Sequence, residues 1–218
     1  MLRKSLLALL VPVVLGCPSQ FQTTPEEKKV VEKSIVKIDT KIENTLPLEM
    51  IASEEDELIV PEQISPEYRA LLDTIAGAEG ADYNTLYGGE TFSDFSQHPC
   101  LVMYAYGRKS TAAGRYQFVY PTYRELREEK GLFSSFDEEE QDKAALYLIQ
   151  KKGVTQELLK KSIETGDFNP IWDRLAPTWA SFPTSRNSRG KHNQAKFSSH
   201  RLRHEYLLNY GHLLRNSY

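Results

Sequence analysis

Apolar residues recur at helical spacing between Ser65 and Gly80, and they predict one helix with clear limits at both ends. Positions three and four apart lie on one face of a helix, so these residues form a single stripe. Ser65 suits the N-cap, Pro66 suits the first helical position, and Gly80 suits the left-handed stop after the last turn. The stripe is made of Tyr68, Leu71, Leu72, Ile75 and Glu79.

Glu79 ends this apolar stripe and is the strongest candidate for chemistry. Its spacing predicts a carboxyl that faces the core, whereas Glu67 and Arg69 fall on the outer face of the helix. Burial disfavours the charged carboxylate, and so does the negative end of the helix dipole, so we expect a raised pKa for Glu79. A carboxylic acid that stays protonated near neutral pH can donate a proton to a leaving group. The alternative is a glutamate that only completes the helix end at the domain surface.

The rest of the domain has mainly helical periodicity and one short segment of β-like alternation. Four further helices are indicated, over residues 121–131, 137–152, 155–166 and 202–214. Ser135 and Glu138 have the spacing of a capping box before the second of them. From Gly114 to Tyr120 aromatic residues alternate with other residues, which predicts one arm of a hairpin. The sequence therefore predicts an α+β fold that is mainly helical.

The first 17 residues have the features of a secretory signal peptide. Arg3 and Lys4 give a positive start, and a short apolar run from Leu6 to Leu15 follows. This run is too short for a comfortable transmembrane helix. The segment that ends at Cys17 resembles a bacterial lipobox, which predicts an exported envelope or periplasmic protein anchored to a membrane by a lipid on that cysteine. The alternatives are a signal peptide cut elsewhere and an uncleaved short anchor.

Charge is unevenly distributed, although the net charge of the whole chain is −3. Residues 18–64 carry 5 lysines and 11 acidic side chains, whereas residues 183–218 carry 7 basic side chains and 1 acidic one. We interpret the first segment as a flexible acidic stalk, and residues 65–218 as a catalytic domain with a basic C-terminal helix. The basic end is expected to attract anionic envelope polymers, and no stacking motif accompanies it that would indicate nucleic acid.

The cysteines and histidines give no sign of a cofactor. Cys100 has no partner if Cys17 is lipidated, so no disulfide framework is expected. His200 and His204 stand four residues apart on the predicted last helix, a spacing that can bind zinc. The glutamate that follows them is in the wrong order for a zincin motif, so we expect neither a metal nor an organic cofactor. The protein is expected to be a monomer.

Several motifs occur in a set order between Pro66 and Pro183. They are Ala78–Gly80, Asp82–Tyr83, Leu86–Glu90, Phe92–Pro99, Ser110–Phe118, Ile171–Trp172 and Trp179–Pro183. This ordered set resembles the lambda-type endolysin family, whose members have a lysozyme-like fold but act as lytic transglycosylases on peptidoglycan. The resemblance implies a helical body with a small β-hairpin lobe beside the active-site cleft. It also implies that Glu79 is the catalytic acid.

The resemblance places the Ser110–Phe118 loop along the glycan cleft, facing the acid. In this loop the predicted substrate contacts are the hydrogen-bond donors Thr111, Arg115 and Gln117 and the amphipathic ring of Tyr116. Two aromatic residues outside the loop, Tyr87 and Trp179, are also predicted to contact the substrate. The alternative for the loop is a hairpin whose Tyr116 and Phe118 pack into the core. Gln117 is harder to explain structurally, so contact with the substrate is the preferred interpretation of that residue.

Two mechanisms remain open for such a site. In a lytic transglycosylase, Glu79 alone protonates the β-1,4 bond after N-acetylmuramic acid, and it then accepts a proton from the carbon-6 hydroxyl of that sugar, giving a 1,6-anhydro end. In a hydrolytic muramidase a second carboxylate activates water, and the local candidates are Asp82, Glu90 and Asp94. The T4-type muramidases have an aspartate where this chain has Gly88, so that hydrolytic pattern is absent. A non-enzymatic hypothesis is a wall-binding lipoprotein that holds glycan without cleaving it.

Overall fold

The structure is a computed structural model, and it describes residues 63–188 and 197–216. Six helices and one two-stranded sheet follow in chain order within these residues. They are α1 (Pro66–Glu79), β1 (Met103–Ala105), β2 (Arg108–Ser110), α2 (Tyr120–Lys130), α3 (Glu138–Lys151), α4 (Gln156–Thr165), α5 (Asn169–Leu175) and α6 (Ser199–Asn216). The mainly helical α+β prediction is confirmed. The predicted signal peptide and almost all of the predicted stalk lie outside the described residues. Of the helices just named, none is both long and apolar enough to cross a membrane.

Helix α1 has the limits that the sequence predicts. Pro66 stands in its first turn, and Gly80 adopts the left-handed conformation (φ +70°) and donates its N–H to the Ala76 carbonyl at 2.8 Å. The apolar stripe of α1 is buried, and the helix packs against α3, α4 and α6. The helix therefore positions its last residue, Glu79, at the edge of the core.

The outer-face prediction is wrong for Glu67. Its side chain is only 7% exposed, and its carboxylate accepts a hydrogen bond from Nε2 of Gln156 at 3.0 Å. The hydroxyl of Tyr206, on α6, donates to the Glu67 carbonyl at 3.2 Å. Arg69 likewise turns inward to an ion pair with the buried Asp142. A helix that is packed on several sides buries part of its polar face as well, which the periodicity of one helix does not predict.

The core is rich in aromatic side chains, which form two groups. The first group contains His98, Phe118, Tyr123, Phe133 and Phe136. In the second, Phe168 stacks on Trp172 with ring centroids 5.5 Å apart, and Phe182 and Tyr206 complete the group. Each such ring pair adds roughly 0.5–1.5 kcal/mol beyond the burial of its area. The first group anchors the irregular segment before α2, and the second anchors the segment after α5 to α6.

The four further predicted helices lie within a few residues of their predicted limits, and the short helix α5 adds one that was not predicted. Helix α2 ends at Gly131 (φ +66°), and the side chain of Thr155 caps α4. The start of α3 differs from the prediction, because Asp137 is the N-cap and accepts the N–H of Glu140 at 3.0 Å. Ser135 donates its hydroxyl to Asp137 at 2.6 Å. An aspartate cap supported by a serine therefore replaces the predicted capping box.

The β-hairpin lies earlier in the chain than the predicted arm at Gly114–Tyr120. Strands β1 and β2 pair antiparallel, with Ala105 opposite Arg108 next to the turn. Tyr106 and Gly107 form this two-residue turn with φ of +51° and +74°. Positive φ at both central residues is typical of the type I′ turn, whose twist matches that of the two strands.

The predicted hairpin arm is instead a tight loop, closed by the mutual backbone hydrogen bonds of Ala113 and Phe118 at 3.0 and 2.9 Å. Gly114 begins this loop with φ +78°, and a Cβ at that position would lie 2.2 Å from Oε1 of Gln141. Gln141 is fully buried in α3, donates to two backbone carbonyls and accepts the N–H of Arg115 at 2.9 Å. One buried amide therefore fixes the loop against the helical body.

Candidate active site

Glu79 stands at the end of α1, where its half-buried side chain borders a cleft of about 520 Å³. The hydroxyl of Ser181 donates a hydrogen bond to Oε1 of this carboxyl at 2.5 Å. Ser181 is itself buried (3% exposed), so the donor has a fixed position. The carboxyl is therefore held in one orientation at the edge of a cavity that can hold part of an extended ligand.

Four short segments wall the cleft: the end of α1, the loop 85–89, the hairpin with the loop after it, and residues 178–181. Backbone, hydroxyl, amide and aromatic groups make up most of the wall. Among the described residues that line the cleft, Glu79 and Arg108 carry the charged side chains. The site thus offers one carboxyl in a surface suited to a polar ligand.

Gln117, a predicted substrate contact, lines the cleft. Its backbone lies in the left-handed region (φ +50°), which is uncommon for residues other than glycine. Its Nε2 donates to the carbonyls of Thr85 and Gly114 at 3.2 and 2.9 Å. Both amide protons are therefore used within the protein, and Oε1 is the atom that the amide has left to accept a hydrogen bond from a ligand.

Thr111 and Arg115, both predicted substrate contacts, are not among the residues that line the cleft. The Thr111 hydroxyl accepts the N–H of Tyr120 at 2.9 Å at the start of α2. The Arg115 guanidinium donates to Asp73 at 2.6 Å and to the Tyr83 hydroxyl at 2.9 Å. Each side chain is directed to a protein partner, so the structure gives both a role in holding the loop.

The Tyr116 ring is buried and cannot lie against a sugar in the cleft, which corrects the expectation for this residue. Only 1% of this residue is exposed, and its hydroxyl donates to Asp142 at 2.5 Å. Burial, together with that carboxylate, raises the pKa of Tyr116 well above its ordinary value. Asp142 also accepts hydrogen bonds from Tyr83 and Arg69. Tyr116 thus belongs to a buried polar network beneath the cleft, as the core-packing alternative for the loop predicts.

Tyr87 lines the cleft together with Tyr106 of the hairpin turn. Their rings meet edge to face, with centroids 6.0 Å apart and an angle of 87° between the planes. Gly88 has φ +98°, and a Cβ there would lie 2.9 Å from the Cβ of Ala105. The turn after Tyr87 can approach the hairpin this closely only with glycine at position 88. This approach places both tyrosines on the same cleft.

Trp179 lines the cleft but is only 4% exposed. Its Nε1 donates to the Tyr116 carbonyl at 3.2 Å, which fixes the indole beside the loop. The second tryptophan, Trp172, is fully buried and belongs to the core. The protein therefore covers most of Trp179 and leaves only a small part of it open to a ligand.

The three predicted alternatives for a second carboxylate all lie outside the cleft lining: Asp82, Glu90 and Asp94. All three are exposed. The backbone N–H of Ser96 donates to Asp94 at 2.8 Å. Hydrogen bonds from the hydroxyl and the backbone of Ser96 hold the pKa of Asp94 below its ordinary value. Asp94 is thus an ionised carboxylate that stabilises its own turn.

The prediction that Cys100 lacks a partner is wrong, because this buried cysteine is disulfide-bonded. Cys17, the predicted lipidation site, lies outside the described residues. His200 and His204 are exposed on α6. In the part of the chain that the structure describes, no group of three or more histidine, cysteine and acidic side chains could hold a metal ion.

Several polar or aromatic residues of the cleft were not predicted, among them Ser181, Tyr106 and Arg108. Ser181 lies within the Trp179–Pro183 motif, but its bond to a residue 102 positions earlier leaves no local pattern. Tyr106 stands before a glycine between two short β-like segments, a hairpin signal that could have found it.

The comparisons with known proteins agree with this architecture. The sequence model of the Endolysin family matches residues 69–213. The endolysin of Escherichia phage lambda is 35% identical over 132 residues, which cover 56% of this chain and 80% of that protein. The endolysin of Escherichia phage P2 is 29% identical over 147 residues, which cover 58% of this chain and 86% of that protein.

Comparison with solved structures also supports a lysozyme-like fold. Bacteriophage lambda lysozyme complexed with a chitohexasaccharide superposes with a TM-score of 0.58 at 28% identity, covering 68% of this chain and 97% of that one. A further structure of the lysozyme from bacteriophage lambda gives a TM-score of 0.57 with the same coverage. The predicted lysozyme-like fold is confirmed. With a family match that spans Glu79 and every wall of the cleft, the chain belongs to the endolysin family and is a lysozyme-like glycosidase that acts on the cell wall.

Proposed function

We propose that this endolysin is a lytic transglycosylase that cleaves the β-1,4 bond between N-acetylmuramic acid and N-acetylglucosamine. The observation that carries the proposal is that Glu79 is the one carboxyl side chain among the described residues lining the cleft. The three other local carboxylates are exposed and outside that lining. A reaction in which one carboxyl acts first as acid and then as base fits this arrangement.

In the first step, the Glu79 carboxyl donates its proton to the glycosidic oxygen, and the bond between that oxygen and carbon 1 of muramic acid breaks. In the second step, the Glu79 carboxylate accepts the proton of the carbon-6 hydroxyl of the same sugar, and that oxygen bonds to carbon 1. No water is consumed, an internal ether replaces the glycosidic bond, and Glu79 ends protonated. Because the attacking hydroxyl is tethered to the sugar, its attack is entropically favoured over capture of water.

Ser181 supports both steps through its hydrogen bond to Glu79. The bond orients the carboxyl for proton transfer and stabilises the carboxylate between the two steps. Gln117, Tyr87 and Trp179 are the predicted substrate contacts that border the cleft. The chitohexasaccharide bound by the structurally similar lambda lysozyme supports a glycan as the ligand of such a cleft.

The products of peptidoglycan digestion test the mechanism. Digestion of purified peptidoglycan in ¹⁸O-labelled water is expected to give 1,6-anhydro-N-acetylmuramic ends, no new reducing ends and no ¹⁸O in the products. The control is a parallel digestion of the same peptidoglycan by a hydrolytic lysozyme, since each bond that it cleaves adds one labelled oxygen to the products. Labelled reducing muramic ends from this endolysin would assign it to the hydrolytic muramidases.

We also propose that the protein acts outside the cytoplasmic membrane, because its substrate lies there. The anchor in that proposal is a lipid on Cys17. The mass of the mature protein tests it, because lipidation adds a lipid-sized mass. A mature mass without that gain would remove the anchor from the proposal.

A further inference from the structure

Arg108 lines the cleft, but it has no role in the proposed reaction. It stands on β2, where neighbouring side chains alternate between the two faces of the hairpin. Arg108 and Ser110 line the cleft, whereas Lys109 between them does not. One of two adjacent cations therefore faces the ligand site, and the other faces away from it.

The Arg108 side chain has no ion pair and no hydrogen bond within the described residues. Arg69 and Arg115, by contrast, are neutralised by buried or half-buried aspartates. The guanidinium of Arg108 thus keeps its planar fork of donors for a ligand. Among the described residues of the cleft wall it is the one cation.

Neutral sugar rings give a guanidinium no charge to pair with. Muramic acid differs from N-acetylglucosamine by its lactyl ether, which bears a carboxyl group. That carboxyl is either free or joined to a stem peptide, which has carboxylates of its own. Arginine pairs with carboxylates through two parallel N–H···O bonds, which gives the contact both strength and geometry.

We propose that Arg108 is a specificity-determining residue that binds a carboxylate on the muramyl substituent of the glycan. The proposal rests on the proposed function, because it assumes that glycan strands with muramic acid occupy the cleft. It explains why the hairpin places a cation in a wall that is otherwise neutral apart from Glu79. It also distinguishes wall glycan from uncharged chitooligosaccharides by a contact that only the former can make.

The test measures binding by the full-length protein with the Glu79→Gln substitution, which is not expected to cleave its ligands. The ligands are peptide-bearing glycan fragments, fragments stripped of peptide by an amidase, and chitohexaose. Adding Arg108→Gln is expected to weaken binding of the anionic fragments by roughly three- to tenfold, since the contact is partly exposed. Binding of chitohexaose is expected to stay unchanged. Arg108→Lys should recover part of the loss, and Lys109→Gln is the matched control that should lose nothing.

The two sources of the carboxylate give different patterns. A loss confined to peptide-bearing fragments identifies a stem-peptide carboxylate, and a loss confined to stripped fragments identifies the lactyl carboxylate. Added salt should weaken anionic binding less after Arg108→Gln than before it. An equal loss for chitohexaose, or no loss for any ligand, would overturn the proposal. Labelled reducing ends from the wild-type digest would refute transglycosylation while leaving this binding result intact.

Discussion

At the residue scale, Glu79 belongs to two environments at once. Its backbone ends a helix whose inner face is buried, and its carboxyl accepts the hydroxyl of a serine far away in the chain. The first environment follows from local spacing, so the sequence predicts it. The second depends on the tertiary fold. With both in place, the carboxyl has one defined position at the cleft, which proton transfer to a bound glycan requires.

Glu79→Gln tests whether this carboxyl carries the chemistry. The amide keeps the size of the side chain and can still bond to Ser181, but it cannot deliver a proton. Turnover of peptidoglycan is expected to fall by about a hundred- to ten-thousand-fold, the usual value of general acid catalysis, while glycan binding persists. Asp94→Asn is the control, because this exposed carboxylate lies outside the cleft lining. An equally large loss in the control would favour a second catalytic carboxylate.

Ser181→Ala removes the hydrogen-bond donor but leaves Glu79 in place. Hydrogen bonds to charged groups are worth roughly 1.5–3 kcal/mol, so the rate constant kcat is expected to fall about tenfold or more. KM should change little, because the hydroxyl acts on the carboxyl and not on the ligand. Steady-state kinetics with a soluble glycan fragment separate the two constants. A change confined to KM would show that Ser181 serves binding instead of positioning.

At the scale of elements, local sequence signals predicted the limits of helices, but they did not predict the side-chain directions that depend on packing between elements. Helix α1 has a proline start and a glycine stop that act within one turn, and both are where the sequence places them. The directions of Arg115 and Tyr116 were not predictable, because their partners Asp73 and Asp142 come from other helices. The sequence therefore predicts the segments of the cleft and some side chains that line it, such as Glu79 and Gln117, but it does not predict which side chains of the loop turn to the core.

The tight loop after Ala113 gives a prediction about stability. In Gly114→Ala, the new Cβ would lie 2.2 Å from the buried Gln141 amide, and the backbone is left-handed. Chemical denaturation is expected to report a loss of about 3 kcal/mol or more in the free energy of unfolding, from backbone strain plus overpacking. Gly131→Ala is the matched control, since its φ is also left-handed but its surroundings are open. That variant should lose only about 1 kcal/mol. Equal losses of unfolding free energy in the two variants would show that the contact with Gln141 does not destabilise Gly114→Ala.

At the scale of the whole molecule, the described residues from 63 onward hold the aromatic core, the cleft and the family match. This supports the proposal that the catalytic domain begins near Ser65.

His98 links several parts of this domain. Its Nε2 bonds to the Phe118 carbonyl at 2.8 Å, and its Nδ1 accepts the N–H of Cys100 at 3.0 Å. A ring that both donates and accepts in this way is neutral.

His98 should make the stability of the domain depend on pH. Burial lowers the pKa of this 2%-exposed histidine from 6.5 to about 4. The unfolded chain therefore takes up a proton first as pH falls, so stability is complete above about pH 6.5 and is lost toward pH 4, by about 3 kcal/mol in total. Denaturation curves at several pH values measure the loss. His98→Gln should lower stability at neutral pH but flatten its dependence between pH 6.5 and 4, because the group that titrates there is gone. An unchanged slope in that variant would mean that other groups govern the acid sensitivity.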